Sequence, residues 1–309
     1  MKINKPKFWH REKSFLSIIL LPITFFVLII IFFKKKISNL EKFNIPVLCV
    51  GNIYIGGTGK TPLSILITNE LKNIGKNPVI IKKFYKNQKD EHLLIKKKTG
   101  ALIAEKCRKF AINLAKRQYD LAILDDGFQD YGVKKDLSIL CFHGEQLIGN
   151  GLVFPSGPLR ESFNSVKRAQ IIIINGEKNL EFEKKILNIN ANIKLFYSNY
   201  VLLDCEKYKN KNILALAGIG NPDNFFNLLL RNGLKVKKTF AFPDHYEFNK
   251  RELGKIIDHA KKNNCIILTT EKDFLRIEKY KFTEINYCSI DLKITEKEKL
   301  IGLVEKIYD

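Results

Sequence analysis

Gly51-Asn-Ile-Tyr-Ile-Gly-Gly-Thr-Gly-Lys-Thr-Pro62 is the stretch that decides the fold of this chain. An apolar, strand-like run, Ile45-Pro-Val-Leu-Cys-Val50, leads into it, and an apolar-periodic stretch from about Leu63 to Asn73 follows as a helix. Strand, glycine loop, Lys-Thr and helix is the order that a phosphate-binding loop requires. Gly56, Gly57 and Gly59 permit backbone angles and a close approach that a Cβ would forbid. Successive N–H groups of Tyr54, Ile55, Gly56, Gly57, Thr58 and Gly59 can therefore turn toward phosphate oxygens at a helix N-terminus. Lys60 is placed to reach the β- and γ-phosphates of ATP, and the Thr61 hydroxyl to ligate Mg²⁺. The strict pattern asks for glycine at position 54, where this chain has Tyr54.

Working outward, Tyr119-Asp-Leu-Ala-Ile-Leu124 is an apolar strand that ends in Asp125-Asp126-Gly127-Phe128-Gln129. This is the pattern of a Walker B strand, which delivers a carboxylate to the metal beside the phosphate loop, so Asp125 and Asp126 are candidate metal ligands. Taken alone, a strand ending in Asp-Asp-Gly also reads as a simple turn; the pairing with Lys60-Thr61 upstream favours the metal site.

Further strands are expected at about 77–82, 136–142, 170–175 and 193–197, alternating with helices. That alternation predicts an α/β fold, a doubly wound parallel sheet of the P-loop NTPase type with ligands at the C-terminal ends of its strands. A second, smaller α/β domain is predicted from Ile213–Ala217, Val236–Ala241 and Cys265–Thr270 as strands, with helices at about 222–232, 249–263 and 295–307. The boundaries read as an N-terminal membrane anchor over 1–40, a nucleotide-binding domain over 41–198, and a C-terminal domain over 199–309 that includes a polar linker at about 199–211. Val201-Leu-Leu203 within it reads as an intervening strand.

From Phe15 to Phe33, 19 residues carry no charge. At about 1.5 Å per residue a helix of that length nearly matches the hydrocarbon thickness of a bilayer, so a membrane helix is expected, with Pro22 as a point where it kinks or turns back. Basic residues flank the run on both sides, so the positive-inside rule does not choose an orientation.

The chain has 309 residues and a formal net charge of +21. Only eight of its 53 basic residues are Arg, and the lysines are scattered through every segment. That scatter argues against a nucleic-acid-binding stripe and for anionic partners such as a phospholipid surface or a phosphorylated substrate. Six well-separated cysteines without a Cys-x-x-Cys pair read as reduced core residues.

These motifs together resemble the tetraacyldisaccharide 4′-kinases of lipid A biosynthesis. The resemblance runs over nearly the whole chain: the hydrophobic N-terminus, GNIYIGGTGKTP, LDDGFQ at 124–129, GNGLVFPSGPLRE at 149–161, AGIGNPDNFF at 217–226, FPDHYEF at 242–248 and TTEKD at 269–273. It implies transfer of the γ-phosphate of ATP, with Mg²⁺, to the 4′-hydroxyl of an acylated glucosamine disaccharide 1-phosphate at the cytoplasmic face of a bacterial inner membrane. It further implies that Asp90 and His245 act on the acceptor hydroxyl, and that Arg160 and Glu161 stand near the phosphates and the metal. The chain departs from the family in three places: Asp130 follows DDGFQ where His is usual, Lys82–Gln88 replaces an Arg-Gly-Tyr-Gly segment, and Lys89-Asp90-Glu91-His92 replaces Gly-Asp-Glu-Pro.

Two other classes use the same loop: a membrane-associated ATPase switch of the partitioning or targeting type, and a membrane-tethered scaffold without nucleotide. Such switches carry a Lys before the paired glycines, where this chain has Ile55.

Overall fold

The computed structural model describes residues 6–11, 14–85, 88–244 and 246–309. Its centre is strand β1 (Val47–Gly51), which is buried along its whole length. β1 lies between β4 (Leu121–Asp125) and β5 (Leu137–His143), parallel to both. Outside β4 come β2 (Pro78–Lys83) and β3 (Leu102–Glu105); outside β5 come β6 (Ile171–Asn175), β7 (Lys194–Leu202) and β12 (Ile290–Ile294). All pairings are parallel except that of β12 with β7.

Period-two alternation along these strands divides the core into two apolar layers. On one face Val47, Cys49, Leu124 and Phe142 meet α5 (Arg108–Ala115) and α6 (Leu180–Leu187). On the other, Leu48, Val50, Ile123 and Ile139 meet α3 (Lys60–Asn73), α4 (Lys89–Thr99) and α10 (Lys297–Glu305). Helices on both faces of a parallel sheet is the doubly wound arrangement expected.

A second sheet, ordered β11-β10-β8-β9, is wholly parallel. It comprises β8 (Asn212–Ala217), β9 (Lys235–Ala241), β10 (Ile266–Thr270) and β11 (Ile285–Cys288), with α7 (Pro222–Arg231), α8 (Lys250–Lys262) and α9 (Glu271–Ile277). The route between the sheets differs from the expected division. The boundary at 198/199 falls inside β7, which continues through Val201 to Leu202, so no separate strand forms at 201–203. β12 then returns antiparallel to β7, pairing Ile290 with Leu202, and α10 packs Leu300, Ile301 and Val304 onto the first sheet's core. The second sheet is thus an insertion between two neighbouring strands of the first.

The apolar N-terminal run is not one spanning helix. It forms α1 (Phe15–Ile19) and α2 (Leu21–Ile37), and no described helix is long and apolar enough to cross a membrane. Proline explains the break: Pro22 lacks an N–H and can open a helix but not continue one. The polar residues of the run are taken up by the body of the protein. Thr24 Oγ1 donates to Ser156 Oγ at 2.7 Å, and Asn150 Nδ2 donates to Ser17 Oγ at 3.1 Å. Val27 and Ile31 lean on the core, while Phe25, Phe26, Phe32 and Phe33 are each more than half exposed.

Candidate active site

Directly after β1 the buried Asn52 acts as a staple. Its Nδ2 donates to Tyr54 O at 2.7 Å, Gly56 O at 3.2 Å and Thr58 Oγ1 at 3.0 Å, fixing the loop from inside. Gly59, with φ of 91°, caps α3, and a Cβ there would stand 3.1 Å from the Tyr200 hydroxyl. No acidic residue lies in the first turn of α3, so its free N–H groups and positive dipole end face the cavity unopposed.

Of the expected nucleotide-binding residues, Gly56, Gly57, Thr58, Gly59, Lys60 and Thr61 line one cavity of about 900 Å³. Tyr54 and Ile55 lie behind it. The Tyr54 side chain is buried, which pushes its phenol up to about 12, and its backbone bridges to Leu159. The Ile55 N–H donates to Pro158 O at 2.8 Å. GNGLVFPSGPLRE therefore props the loop from one side and receives Thr24 on the other.

Asp125, at the end of β4, is wholly buried. Its Oδ2 accepts from Thr61 Oγ1 at 2.8 Å and from Lys82 Nζ at 2.5 Å. Its other oxygen has no hydrogen-bond partner among the described residues. Asp126, with φ of 62°, turns its carboxylate to Arg160 Nη1 at 2.7 Å and Lys60 Nζ at 3.6 Å. Burial works to raise the Asp126 pKa, but Lys60 and Arg160 outweigh it and hold the carboxyl well below its usual range. Arg108 Nη2 caps the same turn through Asp126 O at 2.8 Å.

Thr61 and Asp125 fit magnesium: a hydroxyl and a carboxylate with an unused buried oxygen are the hard donors it favours. Among the described residues no group of three or more His, Cys, Asp or Glu side chains is suited to a metal, so phosphate and water oxygens would complete the shell. Glu161 stands apart from this pair. It is buried and accepts from Gln129 Nε2 at 2.9 Å, Tyr131 OH at 3.0 Å, Arg168 Nη2 at 2.5 Å and Lys35 Nζ at 3.0 Å. Asp130, in place of the family His, pairs with Arg108 at 3.6 Å.

The opposite wall is ionic. Lys82 Nζ contacts Glu91 Oε2 at 2.9 Å, and Glu91 Oε1 accepts from Lys272 Nζ, also at 2.9 Å. Lys272 further approaches Asp244 at 3.5 Å. Asp90, in the first turn of α4, is buried, and its Oδ2 accepts from Arg276 Nε at 3.0 Å and Nη2 at 2.8 Å. Arg276 Nη1 donates to Tyr246 O at 3.3 Å, tying Asp90 to the FPDHYEF segment. Glu91, not Asp90, lines the cavity. His245 lies outside the described residues.

Sequence reasoning passed over Asn52, Lys82, Glu91, Lys272 and Arg276. The last two share one helix face at i and i+4 beside TTEKD, a signal that could have marked them as a basic face.

The family model described as "Tetraacyldisaccharide-1-P 4'-kinase" (LpxK) matches residues 16–308. A tetraacyldisaccharide 4'-kinase of Pelagibacter ubique is 42% identical over 317 residues, covering 100% of this chain and 99% of the relative. One from Rhodopseudomonas palustris is 31% identical, covering 89% of this chain and 87% of its own. A crystal structure of LpxK from Aquifex aeolicus in complex with ATP is similar with a TM-score of 0.74 at 25% identity, covering 95% of this chain and 100% of that one. With the model matched over almost its whole length, around the same loop, carboxylates and cavity, this chain belongs to the tetraacyldisaccharide-1-P 4'-kinase family.

Proposed function

We propose that this protein transfers the γ-phosphate of ATP to the 4′-hydroxyl of tetraacyldisaccharide 1-phosphate, working at the cytoplasmic face of a bacterial inner membrane. The observation that carries this reading is the placement of Lys60 and Thr61 at the head of α3, in direct contact with Asp126 and Asp125, in one cavity with the ionic wall of Glu91, Lys272 and Asp244.

In this reading the N–H groups of residues 56–61 cradle the β- and γ-phosphates, and Lys60 draws the γ-phosphate. Thr61 and Asp125, with Asp126 beside them, would hold magnesium, which would neutralise phosphate charge. Arg160, fixed by Asp126, offers its guanidinium to the charge that builds on the equatorial oxygens. Asp90 and His245 act together on the acceptor: the 4′-hydroxyl gives up its proton to His245 as its oxygen bonds to phosphorus and ADP leaves, with Asp90, outside the cavity lining, acting from behind. The bond from Arg276 to Tyr246 O supports that pairing by holding Asp90 beside the segment that carries His245. Glu161 acts one step back, orienting Gln129, Tyr131 and Arg168.

The exposed phenylalanines of α2 suit an interfacial position, with Lys34 and Lys36 at the headgroup level and Lys34 also lining the cavity. A substrate with four acyl chains stays in the membrane, so an enzyme seated on that surface meets its acceptor sugar there. Replacing Phe25 and Phe26 by Glu should abolish flotation with anionic vesicles while leaving ATP binding intact. Phosphate transfer from radiolabelled ATP to the lipid precursor tests the reading directly. An ATPase switch would hydrolyse ATP without labelling lipid, and Ile55, in place of that class's Lys, speaks against it.

A further inference from the structure

Lys82 is a cation inside the site that no motif explains. It stands on β2 in register with Asp125, and its side chain is almost fully buried. Its ammonium touches three groups: Asp125 Oδ2 at 2.5 Å, Thr61 Oγ1 at 3.4 Å and Glu91 Oε2 at 2.9 Å. The first two are the carboxylate and hydroxyl that fit magnesium. An ammonium on Asp125 Oδ2 and a divalent cation on the unused Oδ1 and the Thr61 hydroxyl would sit on one buried carboxylate, close enough to repel each other strongly. The third group, Glu91, offers the ammonium another partner on the far side. A lysine has a flexible stem and three donors, so its head can pivot from one carboxylate to the other while β2 stays in place.

From this geometry we propose that Lys82 competes with magnesium for Asp125 and Thr61, and that metal entry hands its ammonium over to Glu91. Lys82 is then a positioning residue that makes metal loading report to the opposite wall. Glu91 is shared with Lys272 at the head of α9, so an ammonium turning fully to Glu91 weakens that cross-cavity bond. Loading of the metal and movement of the second domain thereby become linked steps. The inference rests on the magnesium site of the kinase reading, and its test separates the two.

The experiment titrates Mg²⁺ against a fixed concentration of a fluorescent, non-hydrolysable ATP analogue, following binding and not turnover. Lys82→Met keeps the stem and removes the competing charge, so the Mg²⁺ needed for half-maximal binding should fall about tenfold or more. Lys82→Arg keeps the charge and should stay near the wild type. Glu91→Gln removes the alternative partner, leaves the ammonium on Asp125, and should raise the Mg²⁺ requirement. Opposite signs for Lys82→Met and Glu91→Gln are not expected of a purely structural ion pair. In a second readout, Mg²⁺ alone should raise the melting temperature of Lys82→Met more than that of the wild type. An unchanged or raised requirement in Lys82→Met overturns the proposal. If that variant does not fold, an unchanged requirement in Glu91→Gln overturns it equally. Wild-type protein without Mg²⁺-dependent ATP binding would instead strike the kinase reading itself.

Discussion

The two walls of the cavity are made differently. The loop wall, residues 52–61, is held by backbone geometry and neutral hydrogen bonds: one amide group of Asn52 fixes three positions, and Gly59 adopts a left-handed angle. The facing wall is an alternating chain of charges that passes from Asp125 through Lys82, Glu91 and Lys272 to Asp244, with Asp90, Arg276 and Asp273 beside it. Neutral staples give a fixed shape, suited to a group as invariant as a triphosphate. Ion pairs can exchange partners at little net change in energy, which suits the side that must open, admit a large acceptor and close again.

That contrast can be broken most severely at Lys60. Lys60→Ala should lower phosphate transfer about a thousandfold while the melting temperature moves little, because the side chain acts on the nucleotide and not in the core. Next comes Arg276→Ala, which takes from buried Asp273 its one ion-pair partner among the described residues and from buried Asp90 the bidentate one, leaving Asp90 with Lys272 at 3.7 Å. Chemical unfolding should show a loss of about 3–5 kcal/mol; a loss confined to catalysis would mean that the ionic wall is not a structural element.

Asn52→Ala tests the neutral wall in the same terms. Losing the staple takes a donor from the Tyr54 and Gly56 carbonyls and the Thr58 hydroxyl, at about 1–3 kcal/mol, and ATP affinity should weaken with little effect on acceptor KM. A weaker acceptor instead of weaker ATP would show that the walls are not separable.

The smallest effect is one of pH. Burial tends to raise the Glu91 pKa, but Lys272 and Lys82 overcome it and hold the carboxyl far below its ordinary value of 4.5. A depressed carboxyl contributes stability that is complete above the unfolded value and is lost only as pH falls through the folded one. The stability difference between wild type and Glu91→Gln should therefore be constant from pH 8 to about 5 and shrink only in stronger acid. A difference that faded near neutral pH would contradict the pairing with Lys82 and Lys272.

Much of the loop wall was legible in the sequence because its parts are contiguous. Strand, glycines, Lys60-Thr61 and helix follow one another without interruption from Ile45 to Asn73, and the Asp125-Asp126 turn carries its own pattern. The parallel sheet followed from apolar runs of strand length. The ionic wall was not legible, since Lys82, Glu91 and Lys272 become neighbours only when β2, α4 and α9 are assembled. In a chain with 45 lysines, no single one stands out by composition. Resemblance pointed to Asp90 and to Glu161, but it could not say that Arg276 clasps the first or that four donors surround the second. The apolar N-terminus was visible as a run, with Pro22 as its break; the partners that Ser17 and Thr24 find near residues 150–156 were not.

The return of β12 beside β7 has a consequence for biogenesis. While the ribosome is still adding the inserted sheet, the outer edge of β7 has no partner, and at cellular elongation rates that interval lasts on the order of ten seconds. An open strand edge is a template for wrong pairing. Nascent chains caught in this interval are the ones that need protection from chaperones, and truncation before residue 290 should yield aggregates instead of a working nucleotide-binding half.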